Sequence, residues 1–205
     1  MNIADIERRF RGRTPAPLGR HRNYAVMVPL VERPDGLHLL FEVRSEDMDI
    51  QPGEVCFPGG RQEDDESAEA CALRETCEEL GICPDQVRII APLDYIQMYS
   101  NFTLRPFLAV LDATALETAR INPSEVKETF LVPLSYFFET DPTTITLDVA
   151  PVVPADFPYD LINAPGGYNW RKGQNVVPIY RFQDWTIWGL TARIVGHLVD
   201  VARAD

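Results

Sequence analysis

Closely spaced carboxylates are the residues of this chain best suited to chemistry. Glu75, Glu78 and Glu79 stand three and four positions apart, and on a helix such positions lie on one side. Like charges at that spacing repel one another and destabilise a bare helix. A divalent cation relieves the repulsion, and Mg²⁺ binds through a few carboxylates together with phosphate oxygens and water. The spacing therefore indicates a cation site that suits a phosphate-containing substrate.

A glycine-rich segment precedes these carboxylates. Residues 57–60 read Phe-Pro-Gly-Gly, which interrupts regular structure and lets a backbone carbonyl approach an ion closely. Arg74 stands next to Glu75, where a guanidinium can form two hydrogen bonds with a carboxylate and orient it. The competing interpretation is a solvated acidic helix, since most runs of charge are solvated. The glycines and the adjacent arginine favour the cation site.

A helix is needed to bring the carboxylates together, and the pattern predicts one over residues 67–80. Its apolar stripe is predicted to consist of Ala70, Leu73, Cys77 and Leu80. Gly81 is the expected end of the helix, because glycine readily adopts the left-handed conformation of a C-cap. The stripe and the carboxylates fall on different faces, so that one helix can both pack and bind a cation.

Strands and further helices surround this helix. Residues 24–31 and 37–43 are predicted to form a hairpin around a turn at residues 33–36. A short N-terminal helix, with Ile3, Ile6 and Phe10 on one side, is expected to rest on the domain. The other predicted strands are residues 87–96, 104–111, 130–133 and 176–182, and the other predicted helices are residues 134–139 and 187–202. This order predicts an α/β (α+β) fold with a mixed sheet between helices.

Composition limits the class of protein and its partners. The chain has 205 residues, 45% of them hydrophobic, which suits one domain with a substantial core. We therefore expect a single domain over residues 1–205, with an N-terminal helical extension over residues 1–20. The net charge of −12 argues against nucleic acid or an anionic membrane as a partner, since Lys and Arg hold both. The sequence allows a homodimer.

Cysteine usage and apolar runs bear on the location of the protein. The cysteines are Cys56, Cys71, Cys77 and Cys83, and none forms the Cys-x-x-Cys pair of a structural zinc site. We interpret them as reduced thiols. Residues 1–12 lack the apolar stretch of a signal peptide, and no apolar run is long enough to cross a bilayer. A cytoplasmic protein is therefore predicted.

The segment over residues 59–82 resembles a family pattern. It is similar to the Nudix box, G-x5-E-x7-R-E-U-x-E-E-x-G-U with U an aliphatic residue, and matches it at every fixed position. Thr76 stands at one variable position that is usually aliphatic. A pattern with so many spaced positions is far more specific than a short glycine motif.

The resemblance implies a fold, an activity and a set of roles. Nudix hydrolases have an α/β/α sandwich and use Mg²⁺ or Mn²⁺ to hydrolyse a nucleoside diphosphate linked to another group. By resemblance, Gly59 offers its carbonyl to the metal, Glu66 is a supporting acid of the metal site, and Arg74 orients the ligands. The carboxylate ligands are Glu75, Glu78 and Glu79, of which Glu75 and Glu79 are also expected to act in catalysis with Arg74.

The flanks of the box resemble one branch of the family, the coenzyme A diphosphatases. Residues 39–45 and 53–60 are similar to the added signature of that branch, L-L-T-x-R-S followed by G-x3-F-P-G-G, and residues 122–134 and 187–192 also look like it. The resemblance implies cleavage of coenzyme A or its thioesters to 3′,5′-ADP and a phosphopantetheine. There are two departures. Residues 46–52 are acidic where bases are usual, and Phe41 is taken to replace a small residue.

Further residues, besides the metal ligands and Arg74, have predicted roles. Glu125, in a polar segment before a strand, matches a Glu-Val pair of the branch and is the candidate general base. A surface acid or a cap is the alternative for Glu125, and Glu128 is a weaker candidate for the base. Arg44 and Arg61 are candidate phosphate-binding residues, and a solvated surface arginine is an equally good interpretation of each.

Three functions stay open from the sequence. The first is hydrolysis of coenzyme A, and the second is hydrolysis of another nucleoside diphosphate derivative, such as ADP-ribose or a dinucleotide. The third is a Nudix fold that senses a ligand without catalysis. The retained set of Glu75, Glu78 and Glu79 disfavours the third.

Overall fold

The computed structural model describes residues 1–112 and 114–204. The helices are α1 (Ile3–Phe10), α2 (Ala68–Leu80), α3 (Ala115–Thr118), α4 (Leu134–Glu139) and α5 (Gly189–Arg203). The strands are β1 (Arg22–Arg33), β2 (Gly36–Arg44), β3 (Val55–Cys56), β4 (Gly59–Arg61), β5 (Val87–Pro92), β6 (Ile96–Met98), β7 (Phe102–Leu111), β8 (Val126–Pro133), β9 (Thr143–Val149), β10 (Gly173–Phe182) and β11 (Trp185–Trp188).

A mixed sheet of eight strands forms the centre of the protein. β1 lies between β7, to which it is parallel, and β2, to which it is antiparallel through the predicted hairpin. β3 and β8 pair with β2, and β5 and β6 pair with β7. β4 pairs with the first half of β1. This last pairing places the start of the box beside a central strand.

Side chains of the central strands alternate between two faces, and each face is covered by helices. Ala25 and Met27 of β1 pack with Ala72 of α2. Val28, which is out of phase with them, packs in a cluster that contains Ile194 of α5. The architecture is therefore a mixed sheet between helices, which confirms the predicted fold class.

A second, three-stranded antiparallel sheet contains β9, β10 and β11. It is attached to the main sheet through aromatic and aliphatic contacts, among them the stacked rings of Phe130 and Trp185, whose centroids lie 4.5 Å apart. Tyr180 and Ile187 are buried in the same cluster as α5. The second sheet and α5 thus close the face of the main sheet that lies opposite α2.

Helix α2 has the predicted ends but a different buried face. The Ser67 side chain accepts a hydrogen bond from the Ala70 N–H at 3.1 Å, and Gly81 has a φ of 68° at the C-cap. The predicted stripe is wrong except at Leu80, because Ala70 is exposed and its other two members are only half-buried. The residues that the helix buries are Cys71, Ala72, Thr76, Glu79 and Leu80.

Small side chains explain this shift. Ala72 and Thr76 let α2 lie close to β1, and both are fully buried. The Thr76 hydroxyl donates a hydrogen bond of 2.7 Å to the carbonyl oxygen of Ala72, so that a polar residue is accommodated where an aliphatic one is usual.

Helix α1 forms as predicted but does not pack as predicted. Asn2 caps it, and Asp5 forms an ion pair with Arg8 within the helix. Ile3, Ile6 and Phe10 are 79%, 43% and 58% exposed, and no residue of α1 is buried. The expected contact with the domain is therefore wrong, because local caps and charge pairs, rather than burial, hold the helix. No helix in the described part of the chain is both long and apolar enough to span a membrane.

Candidate active site

Arg74 connects three of the predicted acids. Its Nε and Nη2 donate hydrogen bonds to the two carboxylate oxygens of Glu66 at 2.9 and 3.1 Å. Its Nη1 lies 2.9 Å from Oε1 of Glu75 and 2.8 Å from Oε2 of Glu78. The planar guanidinium presents several donors in a fixed fork, which suits this arrangement. Hydrogen bonding to Arg74 lowers the pKa of the Glu66 carboxyl below its ordinary value.

Glu79 points from α2 towards the glycine-rich segment. Its side chain is buried, and its Oε2 accepts a hydrogen bond of 2.8 Å from the Gly59 N–H. Gly59 has a φ of 152°, and a Cβ there would lie 2.3 Å from the carbonyl oxygen of Ala25. Only glycine fits so close to β1. Backbone pairing with β1 and the bond to Glu79 therefore fix the beginning of the box against α2.

Glu75 lies against Gly60, which is the first glycine of the box pattern. A Cβ at Gly60 would lie 2.4 Å from the carboxylate carbon of Glu75. The missing side chain thus makes the room that the carboxylate occupies. Glu78 differs from its neighbours, because its side chain is 55% exposed and its contact in the site is with Arg74. The three glutamates therefore share a region, with Glu75 and Glu79 inside and Glu78 at the rim.

Burial and mutual repulsion raise the pKa values of two carboxyls of the box. Burial raises the pKa of the Glu79 carboxyl above its ordinary value, and the charge of Glu42 raises it further. Burial also raises the pKa of the Glu75 carboxyl, although Arg74 acts in the opposite direction. A cation among these groups would favour their ionised forms. The raised pKa values of these buried carboxyls fit a site that binds a divalent ion.

A loop from a distant part of the chain positions Glu125. The N–H groups of Arg120 and Asn122 each donate a hydrogen bond of 2.8 Å to the last carbonyls of α2, those of Leu80 and Glu79. The Asn122 amide also donates to Oε2 of Glu125 at 3.3 Å. Glu125 is only partly exposed, and its charge contributes to the raised pKa of Glu79. The loop thus brings Glu125 to the same region as the box carboxylates.

The two candidate phosphate-binding arginines are placed differently. Arg44, at the end of β2, donates from Nε to the carbonyl oxygen of Ile50 at 3.2 Å, and its charge lowers the pKa of Glu42. It therefore lies near the acids. Arg61 is exposed and lines a shallow groove of about 250 Å³ with His21 and Asp64. The structure gives its side chain no polar contact with the box carboxylates.

Glu42 is an acid of this region that we did not predict. It is 1% exposed on β2, and its Oε1 accepts a hydrogen bond of 3.2 Å from the Cys56 thiol. A single acid within the otherwise apolar residues 39–43 of β2 was the available signal. Counting back from Arg44 in the L-L-T-x-R-S signature places the threonine at Glu42 and not at Phe41. Phe41 then stands at the second leucine of the signature, so that both residues differ from it.

Comparison with known families agrees with this geometry. The model of the NUDIX domain matches residues 21–154, which include β1, the box and the Glu125 loop. The chain belongs to the Nudix hydrolase family. The match confirms the resemblance found in the box and excludes an unrelated acidic helix. The prediction of an enzyme is confirmed with it.

Two relatives show how far the likeness extends. The chain is 42% identical over 115 residues to the peroxisomal coenzyme A diphosphatase NUDT7 of Mus musculus, a match that covers 56% of this chain but only 48% of the mouse protein. It is 30% identical over 204 residues to the uncharacterised Nudix hydrolase NudL of Photorhabdus laumondii, and this match covers 97% of this chain and 96% of the relative. The first likeness is strong but partial, and the second is weaker but nearly complete.

Solved structures support the fold. A MutT/nudix family protein from Enterococcus faecalis aligns with 98% of this chain and 70% of its own, at a TM-score of 0.52 and 15% sequence identity. At that identity the likeness concerns the architecture alone. It agrees with the mixed sheet between helices.

Nudix hydrolases generally use divalent metal ions, and the carboxylates of this Nudix site suit one. Within residues 1–112 and 114–204, no three His, Cys, Asp or Glu side chains are already gathered around one point as metal ligands. Instead, Arg74 contacts Glu75 and Glu78, and the Gly59 N–H contacts Glu79. An ion would therefore bind by taking oxygens that now contact Arg74 or the Gly59 N–H.

Proposed function

We propose that this Nudix hydrolase cleaves the diphosphate of coenzyme A or its derivatives to 3′,5′-ADP and an (acyl-)phosphopantetheine. The observation that carries the proposal is the 42% identity over 115 residues with a protein named as a coenzyme A diphosphatase. The Arg-Ser pair at residues 44–45 and the Phe-Pro-Gly-Gly segment at residues 57–60 also match the signature of that branch. In the structure Arg44 lies near the buried acids, as a residue that contacts a substrate phosphate requires.

The box residues are proposed to hold Mg²⁺ or Mn²⁺. The ligands would be the carbonyl of Gly59 and the carboxylates of Glu75, Glu78 and Glu79, with Glu66 supporting them through Arg74. When bound, such an ion supplies Lewis acidity and neutralises the charge that develops on phosphate oxygens. Arg74 would keep the carboxylates in place, since it contacts Glu66, Glu75 and Glu78 together.

Glu125 is proposed to accept the proton of the attacking water. Its carboxylate is held by the Asn122 amide, and its backbone oxygen accepts a hydrogen bond of 2.8 Å from the Ser45 N–H. These contacts fix it at the rim of the acidic region without burying it completely, as a base that meets water requires. Glu128 is the weaker candidate, because it lies opposite Val43, whose side chain packs on the face of the sheet away from α2.

Arg44 and Arg61 are proposed to contact phosphate oxygens of the substrate. Arg44 is the better placed of the two, since its charge already acts on the buried acids. Arg61 lies in the exposed groove beside His21, so that it would reach a more distant part of the substrate.

Another nucleoside diphosphate derivative, such as ADP-ribose, is the second candidate substrate. It is favoured by the segment of residues 46–52, where Glu46, Asp47 and Asp49 are exposed and Lys127 pairs with Glu46 at 3.1 Å. An acidic segment would repel the 3′-phosphate that coenzyme A carries and ADP-ribose lacks.

A substrate panel tests the choice. Coenzyme A, acetyl-coenzyme A, ADP-ribose and a diadenosine polyphosphate are incubated with Mg²⁺ or Mn²⁺, and products are separated by chromatography. We expect 3′,5′-ADP and phosphopantetheine from coenzyme A. Turnover of ADP-ribose with coenzyme A left intact would reverse the ranking. No turnover of any of them with either metal would contradict both substrates.

The proposed roles are tested by Glu79→Gln and Glu125→Gln. We expect Glu125→Gln to reduce kcat at least about 100-fold, the usual scale for a lost general base, and Glu79→Gln to reduce it about 10–100-fold or more through weaker metal binding. Circular dichroism checks that each variant is folded. Glu69→Gln is the matched control, because Glu69 is an exposed acid in the first turn of the same helix. Near-wild-type rates in either test variant would remove that residue from the mechanism.

The organisation of the chain as one domain over residues 1–205, with residues 1–20 as an extension, stays a prediction. A homodimer and a cytoplasmic location also stay predictions. Light scattering coupled to size-exclusion chromatography tests the first of these two, and imaging of the tagged protein in its native cells tests the second.

A further inference from the structure

One carboxylate oxygen of Glu42 has no hydrogen-bond partner within the described polypeptide. Its Oε1 accepts the Cys56 thiol hydrogen at 3.2 Å. Its Oε2 is sealed from solvent and has no hydrogen-bond partner, and no other carboxylate oxygen within residues 1–112 and 114–204 is in this condition. A buried ionised carboxylate is costly unless a hydrogen bond or a cation compensates it. The free oxygen therefore needs a partner that the polypeptide does not provide.

Strand geometry directs Glu42 towards the box helix. Leu40 packs in the cluster that contains Leu80 of α2, whereas Phe41 packs in the cluster on the opposite face. Since side chains alternate along a strand, Glu42 projects on the same face as Leu40. It therefore faces α2 from the sheet.

The contact with Cys56 places Glu42 near the beginning of the box. Cys56 pairs with Glu42 across β2 and β3 and stands three positions before Gly59, whose N–H binds Glu79. Glu42 thus enters this region from β2 and Glu79 from α2, and both side chains are buried.

We propose that Glu42 is a further ligand of the divalent cation, contributed by β2 across from the carboxylates of α2. This inference rests on the proposed cation-dependent function. It assigns Oε2 of Glu42 to the ion, while Oε1 keeps the Cys56 hydrogen bond. The Cys56 thiol then orients the carboxylate as outer partners of metal ligands do.

Mn²⁺ binding tests the proposal without an activity assay. The free ion is followed by electron paramagnetic resonance during titration of the wild type, Glu42→Gln and Glu46→Gln. We expect Glu42→Gln to weaken binding about 10–100-fold, the range found when an interaction of a metal site is removed. Glu46→Gln removes the same charge four positions away on an exposed side chain and should bind as the wild type does. Equal affinity of Glu42→Gln and the wild type would overturn the proposal.

A soaked crystal separates ligation from a mere effect of charge. Anomalous scattering locates Mn²⁺, and the proposal requires an oxygen of Glu42 about 2.0–2.4 Å from the ion, the range of carboxylate distances for such cations. An ion held by the α2 carboxylates with Glu42 out of reach would contradict it.

Thermal melting provides an independent readout. Mn²⁺ should raise the melting temperature of Glu42→Gln less than that of the wild type. An equal rise in both proteins would contradict the inference.

If Glu42→Gln does not fold, Glu42→Thr, which introduces the residue of the signature, replaces it in each experiment. Absence of Mn²⁺ binding by the wild type would contradict the proposed function itself, whereas unchanged binding in the variant would contradict only the role of Glu42.

Discussion

The backbone N–H of Gly59 donates a hydrogen bond of 2.8 Å to Oε2 of Glu79, twenty residues further along the chain. This bond joins the first and last parts of the box. It holds the buried Glu79 carboxylate at the start of β4. The positions of the acids therefore depend on Gly59, which lies close to β1, and on Gly60, which leaves room for the Glu75 carboxylate. Substitution of each glycine tests these two contacts separately.

Alanine substitutions at Gly59 and Gly60 should have different main effects, the first on stability and the second on metal binding. In Gly59→Ala the new Cβ meets the backbone of Ala25 and Val26 at 2.3 and 2.6 Å at a positive φ. Strain of this kind alone costs on the order of 1–3 kcal/mol, so that a large loss of stability is expected. In Gly60→Ala the Cβ meets the flexible carboxylate of Glu75. Stability should change less, while Mn²⁺ affinity and turnover fall.

Urea unfolding and Mn²⁺ titration of the two variants check this expectation. Gly166→Ala is the control, because its Cβ would meet nothing and its φ is not positive. A Gly60→Ala protein that binds Mn²⁺ as tightly as the wild type would show that Glu75 need not occupy that space.

Arg74→Lys should lower turnover about 10–100-fold, the usual effect of removing a group that orients metal ligands. A lysine keeps the charge but cannot reproduce the bidentate contact with Glu66 while also reaching Glu75 and Glu78. Steady-state kinetics at several Mg²⁺ concentrations is the measurement, and we expect the variant to need more Mg²⁺. Arg88→Lys, on the exposed side of β5, is the control. Unchanged kinetics in Arg74→Lys would mean that charge alone is sufficient.

The cation-free protein should lose stability as the pH rises. Burial raises the pKa of Glu79 in the folded state above the ordinary value of 4.5, so that the native state holds a proton that the unfolded chain releases. Unfolding then releases protons at pH values between the two pKa values, and stability falls through that window. Melting temperatures measured with EDTA across this pH range give the slope for the wild type.

The Glu79→Gln variant should have a shallower slope, since the amide does not titrate, and Glu69→Gln should have the slope of the wild type. Saturating Mg²⁺ should also flatten the wild-type slope, because the ion favours the ionised carboxylates. Parallel slopes for the wild type and Glu79→Gln would assign the pH dependence to other groups.

Cys77 and Cys83 should form a disulfide under mild oxidation. Their sulfur atoms lie 3.5 Å apart at the end of α2, and Cys83 is exposed. Oxidised glutathione can accept both thiol hydrogens and be reduced to two thiols in the exchange. Mass spectrometry of peptides should find this crosslink and its reversal by dithiothreitol. The Cys77→Ser variant should lack it, and crosslinks through the buried Cys71 at equal yield would contradict the expectation.

The sequence predicted the acids of the site better than it predicted the face of α2 that packs against the sheet. Spacing alone brought Glu75 and Glu79 together, and Gly81 ended the helix as expected. The buried face of α2 was missed because Ala72 and Thr76 are small, and a search for large apolar side chains does not find close packing against β1. Glu42 was missed because β2 is buried on both faces and shows no alternation from which its direction follows. The bond from Asn122 to Glu79 joins distant segments, and no local pattern indicates it.

The contacts of Arg74 also determine how the acids are held in the metal-free protein. The guanidinium already contacts oxygens of Glu66, Glu75 and Glu78, so that these carboxylates are held near one another by Arg74 without an ion. Binding of the proposed ion would therefore be an exchange of partners within a finished fold, in contrast to small metalloproteins that fold only around their ion. A chelator should abolish turnover without unfolding the protein, and added metal alone should restore turnover.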